Sequence, residues 1–142
     1  MPTYTSTDDA DLEVFLSFVG KRLAQLGAAV TIDLYTDEPI EAADARNLLE
    51  KLTKDATQER SGRSRKHDPL MGMELNLASE EDLHTFSLLG FRTIGCEAFV
   101  GKKLVFTNIE NERTVWLEIA EEEAAKIIEQ ARQSGANILT EV

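Results

Sequence analysis

Apolar residues recur at two periods along this chain, and the period changes from segment to segment. Leu12, Phe15, Leu16, Val19, Leu23 and Leu26 follow helical spacing, which predicts a helix over 8–26. Gly27 supplies the left-handed position that ends it. Val30, Ile32 and Leu34 alternate with Thr31, Asp33 and Tyr35, the pattern of a strand over 28–36. Pro39 opens a second helix, where its missing N–H costs nothing, and Leu48, Leu49 and Leu52 carry that helix to about Thr57. Met71, Met73, Leu75 and Leu77 alternate as a second strand. Ser79 caps a short helix, with Asp82 three residues on in the capping-box position and Gly90 at its end. Residues 97–100 allow a short strand. Residues 104–110 and 113–119 read as a hairpin turning at Asn111-Glu112. Ala124, Ile127, Ile128 and Ala131 define a last helix over 120–134, closed by Gly135, and Ile138 and Leu139 allow a terminal strand.

This order predicts a single α+β domain over 1–142 with a mostly antiparallel, mixed sheet of four to five strands and helices mainly on one face. From residue 28 onward it is close to a ferredoxin-like order, with an N-terminal helix added and a short helix inserted. Residues 1–7 read as a frayed tail and 59–67 as a flexible basic loop without periodicity.

The hairpin register sorts its side chains. If 110 faces 113, then 109 faces 114 and 107 faces 116. Leu104, Phe106, Asn108, Val115, Leu117 and Ile119 then share a core-like face. Val105, Thr107, Ile109, Thr114, Trp116 and Glu118 share a mixed one. The only tryptophan is therefore either an anchor for a partner or ring-shaped ligand, or a large aromatic packed beneath the long loop or the first helix.

Charge sharpens the picture. The formal net charge is −11 over 142 residues. Twelve of the 26 carboxylates fall in four triplets: Asp8, Asp9, Asp11; Asp37, Glu38, Glu41; Glu80, Glu81, Asp82; and Glu121, Glu122, Glu123. Each sits where a helical pattern begins, where free backbone N–H groups favour negative charge. These triplets belong to the scaffold and do not by themselves mark catalysis or metal binding. The surplus still steers encounter with basic partners and opposes phosphate backbones and anionic lipid. One stretch reverses the trend: 46–67 carries seven basic residues and three acidic ones, with Arg60, Arg63, Arg65 and Lys66 at its tip. That tip is either a contact for an acidic group or a solvated loop; without interleaved aromatics it offers no base stacking.

The search for chemistry is mostly negative. His67, His84 and Cys96 lack the close spacing of structural zinc sites. Cys96 has no cationic neighbour in sequence to activate it and reads as a core residue. No phosphate loop, dinucleotide fingerprint or nucleophile elbow is present. Asp33 stands mid-strand, where aspartate is disfavoured; if that face of the sheet is covered, it must be paired or functional. The lone cysteine forms no intrachain disulfide, the start lacks the features of a secretory signal, and no apolar run reaches the ~20 residues of a membrane span. These features point to a cytoplasmic protein.

The expected function is a non-enzymatic, acidic protein-binding module that docks or neutralises a basic partner protein, as immunity proteins and secretion chaperones do by analogy. Its candidate contacts are Trp116, Glu118, Arg60, Arg63, Arg65 and Lys66. No catalytic residue, metal ligand or cofactor is assigned. The alternatives are a small-ligand regulatory domain acting as a homodimer, a small enzyme assembling Asp33, His67, His84 and Cys96, and, last, a nucleic-acid binder working through the basic loop.

Overall fold

In the computed structural model, residues 3–34, 42–59, 72–109 and 113–141 are described. The element order is β1 (Thr3–Thr5), α1 (Asp9–Gln25), β2 (Ala29–Asp33), α2 (Ala43–Glu59), β3 (Met73–Leu75), α3 (Glu80–Leu89), β4 (Gly95–Val100), β5 (Lys103–Ile109), β6 (Thr114–Leu117), α4 (Glu121–Gln133) and β7 (Leu139–Glu141). The strands form one sheet in the order β3-β2-β4-β5-β6-β1-β7. Every pairing is antiparallel.

The α+β class is as expected, but seven strands replace the four or five predicted, and none is parallel. Residues 1–7 are not wholly a frayed tail. Thr3–Thr5 form β1, held between β6 and β7, with Tyr4 buried against Phe15 at 5.2 Å between ring centroids. A three-residue strand has too few side chains to announce itself by alternation; its neighbours specify it. The ferredoxin-like order does not appear. In that arrangement two strands joined by a helix flank a third strand, whereas β2 and β3, joined through α2, lie side by side. Pro39, the triplet Asp37, Glu38 and Glu41, and the loop tip fall outside the described residues.

One face of the sheet is covered. Tyr4, Val30, Ile32, Leu75, Cys96, Ala98, Phe106, Val115 and Leu117 join the core with Leu12, Phe15, Leu16, Val19 and Leu23 of α1 and Phe86 and Leu89 of α3. Helix α1 packs most extensively against α3 and then α4. The approach to α3 depends on Gly20, where a Cβ would stand 2.4 Å from Leu83 Cδ1 and 3.1 Å from Phe86 Cδ2.

Several of the helix-start carboxylates have structural partners. Asp8 accepts the Ala10 N–H at 2.9 Å as the α1 N-cap. Asp11 accepts from Ser6 Oγ at 2.8 Å. Asp9 bridges Arg113 at 2.7 Å and Arg92 at 3.4 Å. Glu123 pairs with Arg22 of α1. Asp82 reaches back to the Asn76 N–H at 2.8 Å rather than completing a capping box on Ser79, whose side chain makes no cap.

Candidate functional site

Strand alternation assigns every second residue to the face away from the helices, and apart from Val105 none of the residues it places there whose burial is described is fully buried. Register lines them up across the sheet. Glu74 of β3 faces Thr31, Thr31 faces Glu97, Glu97 faces Thr107, Thr107 faces Trp116, Trp116 faces Thr3, and Thr3 faces Glu141. One continuous row thus crosses all seven strands, roughly 29 Å at about 4.8 Å per strand. Glu74, Thr31 and Glu97 are exposed, and Thr107, Trp116 and Thr3 half-buried.

The hairpin register is the predicted one, with Ile109 opposite Thr114 and Thr107 opposite Trp116. The expected sides of Leu104 and Val105 are exchanged. Ala98 faces Phe106 while Phe99 faces Leu104, so Val105 is the extra residue of a β-bulge. One inserted residue inverts the alternation beyond it. Val105 joins the core, and Leu104 moves to the open face beside Phe99.

Trp116 is therefore neither core nor fully free. Phe99, Leu104, Ile109 and Trp116 are half-buried outside the core cluster, and Leu139 is 50% exposed. The Trp116 indole Nε1 is shielded from solvent without a hydrogen-bond acceptor among the described residues. Around this apolar ground stand Asp33, Glu74, Glu97 and Glu118, while no Lys or Arg takes an open-face strand position among the described residues. The nearest guanidinium at the β6 end, Arg113, is engaged by Asp9 and donates to the Thr7 carbonyl at 3.0 Å.

The other sequence-predicted residues are scattered. Asp33 is the last residue of β2 rather than a mid-strand one; its Oδ1 accepts the Gly72 N–H and its carbonyl accepts the Thr93 hydroxyl, so it ties down the entry to β3. Cys96 is fully buried, its thiol pKa pushed up first by burial and then by Glu97 and Asp33. Its N–H donates to Asn108 Oδ1 at 2.8 Å, while Asn108 Nδ2 donates to the Thr93 carbonyl at 2.7 Å. This buried amide link explains a polar residue on the core face of β5. His84 is exposed on the outer helical surface beside Glu13 and Glu80. Asp33, Cys96 and His84 thus occupy the open face, the core and the outer helical layer, and are not brought into one site. His67, Arg60, Arg63, Arg65 and Lys66 lie outside the described residues. No metal-competent cluster of His, Cys, Asp or Glu occurs among the described residues, and no helix there is long and apolar enough to cross a membrane.

Of the residues on this face, sequence reasoning singled out Trp116 and Glu118 and did not place Glu74, Glu97, Phe99 and Thr31 beside them. Their alternation was visible, but which strands adjoin is a long-range property. No protein-family model, curated protein or solved structure matches the chain.

Proposed function

We propose that the protein is a non-enzymatic acidic binding module that docks a basic partner protein on its open sheet face, with Trp116 as the anchor. The observation that supports this most is the combination on that face: half-buried aromatic and aliphatic side chains, with carboxylates on neighbouring strands and no Lys or Arg at an open-face strand position among the described residues. Aromatic anchors at the centre of a contact dominate binding energy, whereas surrounding charges mainly set encounter rate and partner choice. A row of about 29 Å suits a protein surface better than a small molecule. The face's own charge disfavours a second copy of the chain against it. A buried, unreactive thiol is in keeping with a cytoplasmic setting. The likeness to immunity proteins and chaperones is one of working principle only.

The test is affinity capture from the source lysate, with wild-type protein compared against Trp116→Ala and Glu97→Lys, both checked for folding by circular dichroism. A basic protein retained at low salt, lost at high salt and lost from both variants supports the reading. Capture that is unchanged by either substitution, or no salt-sensitive partner at all, removes it.

A further inference from the structure

On the helical side of the sheet, α1 and α4 leave a cleft of about 400 Å³ between the C-terminal half of α1 and the N-terminal half of α4. Phe18 and Ile127 give it an apolar floor, and Lys21, Arg22 and Lys126 bring three cations against the single carboxylate of Glu123. A local surplus of positive charge is unexpected on a body of net charge −11. Basic residues in the last turn of α1 suit its dipole, which would account for Arg22 alone. Lys126 lies inside α4, so the cations converge from two helices.

The guanidinium is only partly satisfied. Arg22 Nη2 pairs with Glu123 and Nη1 donates to Gln25 Oε1 at 3.0 Å, while Nε is shielded and has no acceptor among the described residues. Lys21 Nζ lies 5.2 Å from the centroid of the Phe18 ring. Neither Lys21 nor Lys126 forms an ion pair among the described residues. A cleft of this size falls in the range of small-molecule sites, which pair apolar lining with a few directed polar groups.

We infer that the α1–α4 cleft binds a small organic anion, an apolar body carrying one carboxylate or phosphate, with Lys21, Lys126 and Arg22 facing the charge and Phe18 and Ile127 the body. Glu123 is then a competitor: it holds Arg22 when the site is empty and must yield part of that hold to the ligand. This proposal does not depend on the open sheet face, because the two surfaces lie on opposite sides of the sheet.

Titration of uniformly ¹⁵N-labelled protein with phenyl phosphate and with phenylacetate, followed by backbone amide shifts, tests it; benzyl alcohol is the uncharged control. Saturable shifts confined to α1 and α4, with a dissociation constant of about 1 mM or tighter for at least one of the two anions, are expected. The two anions report which head group is preferred. Lys126→Gln should weaken binding about threefold, and Glu123→Gln should tighten it by a similar factor, because it frees the guanidinium. The Glu123 variant separates ligand binding from a merely structural ion pair, which would leave affinity unchanged or reduced. The inference fails if neither anion saturates, if benzyl alcohol binds as well, or if Glu123→Gln does not tighten binding.

Discussion

Replacing Trp116 by Phe separates an anchor on an open face from a core aromatic. Two effects oppose each other. The smaller ring gives up a few tens of Å² of buried apolar area, about 1 kcal/mol at ~25 cal/mol per Å². Against this, the substitution removes an indole N–H that is shielded without an acceptor among the described residues, a burden of about 1–3 kcal/mol when left unmade. The expected net change therefore runs from about zero to about 2 kcal/mol in favour of stability. The next residue provides the contrast: Leu117 is 1% exposed within the core, and Leu117→Ala should cost about 2–5 kcal/mol. Urea unfolding followed by far-ultraviolet circular dichroism gives both values without relying on the only tryptophan. A loss above about 2 kcal/mol for Trp116→Phe would mean that the indole N–H has a partner and the ring is structural, and the open-face argument would fall with it.

Two further outcomes follow from the same packing. Cys96 keeps its proton in the folded state because burial raises its pKa, whereas the unfolded thiol ionises near pH 9. The raised folded pKa means the contribution is intact below about pH 9 and declines above it, by about 1.4 kcal/mol at pH 10; a Cys96→Ala variant should lose that part of the slope in urea titrations at pH 8 to 10. A β-branched side chain at Gly20 must displace Leu83 and crowd Phe86, so Gly20→Val should lower stability by about 1–3 kcal/mol in thermal or urea unfolding; an unchanged midpoint would show that α1 and α3 part easily.

Periodicity alone located α1, α3, α4 and the β5–β6 hairpin, because each buries one stripe or face and the apolar spacing records it. It also separated scaffold carboxylates from chemistry: Asp8, Asp9, Asp11 and Glu123 cap, bridge or pair as helix-start residues do. Asp33 showed itself as an oddity but not its purpose, since its partner, the Gly72 N–H, lies 39 residues away. The β-bulge at Val105 is equally invisible in the apolar pattern, where Leu104, Val105 and Phe106 are three apolar residues in a row and only the pairing with Ala98 and Phe99 decides which one turns outward. Short strands such as β1 carry no period of their own and exist because β6 and β7 leave a slot between them. The candidate surface belongs to this second group. Its row from Glu74 to Trp116 joins residues from five strands, and local sequence determines which side a residue takes while strand order alone determines who stands beside it.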